Sequence, residues 1–386
     1  MENKRKICVV ITARPSYSRI RTALQAIKSH PDLELQLVVA ASALLDRYGK
    51  VVRYIVEDGF HVNAQVFMVV EGENPVTSAK TTGIGLLELS TVFDNLKPDI
   101  VVTIADRYET IATAIAAAYM NIPLAHIQGG EITGNIDEKV RHAITKLADY
   151  HFVSSELSKE RLIRMGENPK MVFKTGCPSI DIARIVKEKP FIKLDPFEKY
   201  GGVGEKVDLS NGYLVVMQHP VTNEHTAARK QVTETLHAIT ELGLPTLWFW
   251  PNVDAGSDGT SKGIRSFREI YRPKNIHFFK EIPPEDFLKI LMQSRGIVGN
   301  SSVAIRECSY LGVPAVNIGS RESGRERGPN VIDVDYKREE IINAINSMLA
   351  INSLKSSPIY GDGHAGDRIA DLLSKVPLQT SKKLTY

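Results

Sequence analysis

One pattern recurs along the chain and constrains its fold more than any other. A short, nearly unbroken apolar run is followed by a turn and then by an amphipathic helical stretch. Ile7–Ile11, Leu35–Ala40, Ile100–Ile104, Leu124–Ile127 and Tyr150–Val153 are such runs. Between them, helical periodicity predicts helices from about Tyr17 to His30 and over Thr77–Leu96, Tyr108–Met120 and Ile136–Ala148. A strand that is apolar on both faces must be covered on both, so the alternation predicts an α/β fold built on a parallel sheet between two helical layers. The rhythm breaks around Cys177–Gly204, where Pro178, Pro190, Pro196 and Gly201-Gly202 cluster among charges. It restarts with Tyr213–Met217, Thr246–Trp250, Ile276–Phe279, Gly296–Val298 and Ala315–Ile318. Two Rossmann-like domains are therefore expected, 1–178 and 179–366. A last helix, around Asp367–Lys375, is expected to cross back so that 367–386 joins the first domain.

The bulk numbers narrow the function classes. A chain of 386 residues can bury two ordinary cores, and 43% hydrophobic with 24% charged residues is the balance of a folded globular protein. A formal net charge of +3 is too small to point to nucleic acid. Cys8, Cys177 and Cys308 are scattered and odd in number, which argues against a disulfide framework or a zinc site and fits a reducing cytoplasm. The start, Met1-Glu2-Asn3-Lys4-Arg5-Lys6, leads into an apolar run too short for a signal peptide, and no run suits a membrane span.

In parallel α/β sheets ligands sit beyond the carboxyl ends of the strands. That rule selects Arg14 to Arg19 after the first strand, Asp106-Arg107 after Ile104, and Gln128-Gly129-Gly130-Glu131 after Ile127. In the second half it selects Gln218-His219-Pro220, Asn252 to Asp254, Gly299-Asn300-Ser301-Ser302 and Arg321. Gly299 to Ser302 opens a helix, where backbone N–H groups and two hydroxyls favour an anion such as a diphosphate; Ser302 could equally be a plain N-cap. Glu307 could accept both hydroxyls of a ribose or be a solvated helix residue. Arg14 and Arg19 suit a charged leaving group or are surface charges. His219 faces a ligand or is a buried structural histidine, and Asp106 and Asp137 are acids or caps. There is no G-x-x-x-x-G-K-[ST] and no H-E-x-x-H, no G-x-G-x-x-G follows the first strand and no G-x-S-x-G stands directly at a strand end, so kinase, classical dehydrogenase, zinc peptidase and α/β-hydrolase readings lose their main support.

Together, Asp106-Arg107, the segment His126 to Glu131, Asn135 to Glu138 with Arg141 to Lys146, Gln218 to Thr222, Pro251 to Ser257, Gly299 to Ser302 and Tyr360 to Gly363 resemble the hydrolysing UDP-N-acetylglucosamine 2-epimerases of sialic acid synthesis. The similarity runs from residue 6 to about residue 372, and resembles both the bacterial enzymes and the epimerase half of the animal bifunctional epimerase/kinase. The resemblance implies a GT-B-like pair of Rossmann-like domains with the active site between them, a UDP-sugar substrate and a homodimer or homotetramer; no metal or cofactor is expected. It implies that UDP leaves C1 as a proton leaves C2, and that water then adds across the resulting 2-acetamidoglucal to give N-acetylmannosamine and UDP. It places Asp106 and Asp137 among the catalytic acids, Arg14, His219, Ser301 and Ser302 on the diphosphate, Glu307 on the ribose, and Arg19 at the basic position of the first loop. His142, Asn252, Asp254 and Arg321 complete the expected substrate-binding set.

Two positions depart from the family pattern. Gln128 stands where the family has a glutamate, and Ser16 where its first loop is acidic. An amide cannot take a proton from carbon at ordinary pH, so either Glu131, three residues on in the same loop, supplies the missing base, or Gln128 only orients water or the acetamido group. The rivals are a related donor (a GDP-sugar or a 6-deoxy di-acetamido UDP-sugar), a non-hydrolysing epimerase, a glycosyltransferase of the same architecture and a non-catalytic nucleotide-sugar sensor.

Overall fold

The computed structural model describes residues 4–46, 49–72, 74–105, 107–132, 136–189, 195–251, 257–280 and 282–385. The chain divides into two compact units, the first Met1–Glu131, Ile136–Asp181 and Tyr360–Tyr386, the second Ile132–Asn135 and Ile182–Ile359.

The first unit holds seven strands: β1 (Arg5–Ile11), β2 (Leu33–Ala40), β3 (Ala64–Val66), β4 (Ile100–Ile104), β5 (Leu124–Ile127), β6 (Tyr150–Val153) and β7 (Val172–Lys174). They form one parallel sheet in the order β3-β2-β1-β4-β5-β6-β7. Side chains alternate across it, as strand geometry requires. Val9, Ile11, Ile100, Val102, Ile104, Ala125, Ile127 and Phe152 pack into one core, and Cys8, Val10, Val38, Val101 and Leu124 into another on the opposite face. The helix Ala365–Lys375 lends Ile369, Ala370 and Leu373 to the first of these cores, beside Ile20, Ala23 and Leu24 of the helix Arg14–Ser29. Asp181 anchors its start by accepting from the backbone N–H of Ala365 at 2.8 Å and of Gly366 at 2.7 Å, and from the Thr22 hydroxyl at 2.9 Å.

The second unit repeats the scheme with β8 (Leu214–Met217), β9 (Thr246–Phe249), β10 (Ile276–Phe279), β11 (Gly296–Gly299), β12 (Ala315–Ile318) and β13 (Val331–Val334), all parallel, in the order β10-β9-β8-β11-β12-β13. Val215, Leu247, Phe249, Ile297 and Ala315 face one core; Leu214, Val216, Trp248, Val298 and Val316 face the other. Among the described residues no helix is long and apolar enough to cross a membrane.

Three strands escape the sequence reading: β3, β7 and β13. All are sheet edges of three or four residues, and their part-exposed positions lack the apolar run that marks a central strand. The first helix begins at Arg14 rather than near Tyr17, because Pro15 occupies the first turn, where its missing N–H costs nothing.

Candidate functional site

Strand order reverses between β1 and β4 in the first sheet and between β8 and β11 in the second. Loops leaving neighbouring strands in opposite directions open a crevice at such a point. The described candidate residues follow strands at or beside these two points, and each group is taken within its own unit.

In the first unit, β4 and β5 both end in strained backbone. Ala105 (φ 59°) and Gln128 (φ 66°) are non-glycine residues in the left-handed region, a conformation costing roughly 1–2 kcal/mol. The surroundings hold both. The Ala105 N–H donates to the Ile127 carbonyl at 2.9 Å and the Gln128 N–H to the Phe152 carbonyl at 2.9 Å. Gln128 is buried; its Nε2 lies 2.9 Å from Cys177 Sγ, and its Oε1 meets no hydrogen-bond partner among the described residues. Gly130 is required next: with φ at 79°, a Cβ there would stand 2.5 Å from the Ser158 carbonyl oxygen.

Glu131 is buried, its Oε1 accepting from the Ser154 hydroxyl at 3.0 Å. Its backbone carbonyl accepts at 2.8 Å from Arg141, a buried arginine of the helix Ile136–Leu147. That bond ties the loop after β5 to the helix bearing Asp137 in its first turn and His142 one turn past Glu138. His142 Nε2 is 3.3 Å from Glu138 Oε1. Arg14 and Arg19 lie inside the helix after β1 rather than flanking its start, both part-exposed, with Ser16 buried between them. Asp106 lies outside the described residues, as do Asn252 and Asp254.

In the second unit, Asn300 joins the two strand ends. Its side chain accepts from the His219 N–H at 2.7 Å and donates to the His219 carbonyl at 2.8 Å, which sets the end of β8 against the turn after β11. Gly299 permits the approach, since a Cβ there would collide with the Met217 carbonyl. Arg321 Nη1 reaches the Asn300 carbonyl at 3.2 Å and Glu322 Oε1 at 2.8 Å. Glu322, itself buried, also holds Arg325 Nε at 2.9 Å. His219, Ser301 and Arg321 are thus brought to one place.

The helix they adjoin differs from expectation. It spans only Ser302–Ile305, its N-cap is Ser301 (accepting from the Val303 N–H at 3.4 Å), and the chain restarts as a second short helix at Glu307–Leu311. Four residues align few peptide dipoles, so an anion here relies on side-chain and local N–H donors. Glu307 is buried rather than solvated, and its Oε2 has no partner among the described residues. A buried acceptor left unmatched costs about 1–3 kcal/mol; a ligand hydroxyl is a donor of the kind it lacks.

Sequence reasoning gave no role to Asn300, Arg141, Glu322 or His126. The readable signal was a polar side chain inside a buried pattern: His126 interrupts the apolar run of β5, and Arg141 falls on the buried face of its helix. Among the described residues no three His, Cys, Asp or Glu side chains converge as metal ligands would.

A family model described as UDP-N-acetylglucosamine 2-epimerase matches residues 25–374. The UDP-N,N'-diacetylbacillosamine 2-epimerase (hydrolyzing) of Legionella pneumophila is 34% identical over 377 residues, 97% of each chain. The GDP/UDP-N,N'-diacetylbacillosamine 2-epimerase (hydrolyzing) of Campylobacter jejuni is 30% identical over 335 residues, 86% of this chain and 84% of that one. Among solved structures, the UDP-GlcNAc 2-epimerase of Neisseria meningitidis bound to UDP-GlcNAc superposes with a TM-score of 0.77 at 18% identity, over 96% of this chain and 100% of that one. At that identity the likeness concerns the fold, which is the tandem Rossmann-like, GT-B-like class.

Proposed function

The chain belongs to the UDP-N-acetylglucosamine 2-epimerase family, and on that premise we propose that it is a hydrolysing nucleotide-sugar 2-epimerase. The reaction breaks the C1–O bond to UDP while the C2 proton passes to a protein base, leaving a 2-acetamidoglucal. Water then supplies a hydroxyl to C1, and a proton returns to C2 on the opposite face. The balance is UDP-N-acetylglucosamine plus water to N-acetylmannosamine plus UDP.

The observation that carries this reading is the second unit's switch point, where Asn300 holds His219 beside Ser301 and Arg321, with the buried, half-unmatched Glu307 carboxylate six residues on. Cation, imidazole and hydroxyl donors suit a departing diphosphate, and a buried carboxylate suits the ribose hydroxyls. Ser302 and Arg14 add to the diphosphate set. Proton handling falls to Asp106, Asp137 and Glu131 in the first unit, with Gln128 as a neutral hydrogen-bonding group and His142 and Arg19 near the sugar. The word hydrolysing is supported by the names of the Legionella and Campylobacter relatives.

Those same names favour a second reading of the sugar: a 6-deoxy di-acetamido UDP-sugar in place of UDP-N-acetylglucosamine. One experiment tests the reaction and ranks the donors. Each donor is incubated with the protein in oxygen-18 water, without any acceptor, and the products are weighed. Release of UDP with one heavy oxygen in the freshly formed free sugar, beyond the label that anomeric exchange adds in a control, supports the proposal. An unlabelled, still UDP-linked C2 epimer identifies a non-hydrolysing enzyme; intact donors beside firm UDP binding point to a sensor.

A further inference from the structure

His126 is a polar residue with no solvent-accessible surface in the middle of a parallel strand. Its ring makes two hydrogen bonds and each goes to a different element. Nε2 lies 3.0 Å from the Ala105 carbonyl oxygen, just past the end of β4, and Nδ1 lies 3.3 Å from the Thr145 hydroxyl on the helix Ile136–Leu147. A carbonyl can only accept, so Nε2 carries the hydrogen and Nδ1 accepts from Thr145. Burial pushes the imidazole pKa down to about 3 against the opposing influence of the Ala105 bond, and the nearby His151, Lys382 and His142 push the same way as burial. The ring is neutral in the working range of a cell and has no proton to trade.

Ala105 is the residue immediately before Asp106, and it is left-handed. Both of its backbone polar groups are held from β5, the N–H by the Ile127 carbonyl and the carbonyl by the His126 ring. The end of β4 is therefore held in part by one side chain, and that side chain is also latched to the helix bearing Asp137 and His142. Gly129, whose Cβ would come within 3.1 Å of both His126 Nδ1 and Thr145 Oγ1, leaves room for the latch.

We propose that His126 is a positioning residue that registers the end of β4 and the Ile136–Leu147 helix against the Gln128–Glu131 loop, so that acid/base groups from three elements meet one sugar. This rests on the reading of function above, and the test separates the two. In His126→Gln the amide nitrogen reaches the place of Nε2 and keeps the Ala105 bond; in His126→Asn the amide reaches only the place of Nδ1 and loses it. With the active donor, His126→Asn is expected to lower kcat about 100-fold, the scale of a 1 Å misplacement. KM and the Kd for UDP should stay within about threefold. His126→Gln should recover at least a tenth of wild-type kcat and keep both limbs of the pH profile. Equal losses in the two variants, a loss confined to KM, or a vanished limb would overturn the proposal. Should His126→Asn fail to fold, Thr145→Val decides: a roughly tenfold fall in kcat alone supports the latch, and unchanged kcat refutes it. Nitrogen-15 NMR of the wild-type ring needs no turnover. An Nε2–H tautomer unchanged between about pH 5 and pH 9 is expected, and a titrating ring or the other tautomer contradicts the role even if no donor is ever hydrolysed.

Discussion

Asp106→Asn is expected to lower kcat by about three orders of magnitude, within the 10²- to 10⁴-fold range typical of a positioned proton-transfer group, while the Kd for UDP stays within about twofold. The substitution is isosteric, but an amide neither takes a proton from carbon nor returns one. The proposed UDP contacts are His219, Ser301, Ser302, Glu307 and Arg321 in the second unit and Arg14 in the first, so affinity for the leaving group is not expected to pass through Asp106. Steady-state UDP release together with calorimetric UDP binding reads both quantities. Unchanged turnover would remove Asp106 from the catalytic set, and a parallel loss of UDP affinity would make it a binding residue instead.

Glu131→Gln should cost about 100-fold or more in kcat and should remove one limb of the pH–rate profile. Gln128, where a glutamate is expected from the family pattern, has its amide nitrogen 2.9 Å from Cys177 Sγ and offers no ionisable group. The carboxylate nearest in sequence is Glu131, buried on the same loop and hydrogen-bonded to Ser154. Glutamine can still accept from Ser154 and leaves the loop's backbone bond to Arg141 in place, so a purely structural Glu131 would keep kcat in this variant. A kcat loss at unchanged Tm separates the two roles.

The parallel two-sheet architecture was legible because central strands buried on both faces must be apolar at every position; β4, with all five residues buried, is the clearest case. Edge strands β3, β7 and β13 have no such obligation, and nothing in three or four mixed residues distinguishes them from loop. Strand-end segments were legible as candidate sites by topology alone, since the switch points follow from which strands neighbour which. Their inner wiring was not. That Ser301 rather than Ser302 caps a helix of only four residues depends on where the chain breaks at Arg306, and no propensity marks that point. Glu307 reads as a solvated helix residue from its neighbours, yet the restart of the chain buries it. No role for His126 can be read from the sequence, because its partners, Ala105 and Thr145, are distant in sequence and meet it only through strand pairing and helix packing.

The most direct measurement is proton NMR of the products formed from UDP-N-acetylglucosamine, or from the di-acetamido donor, in deuterium oxide. Free sugar of inverted C2 configuration carrying deuterium at C2, appearing together with UDP, is the expected result. A released sugar that keeps its original C2 proton would contradict the central claim, because UDP would then have left without any proton being drawn from carbon.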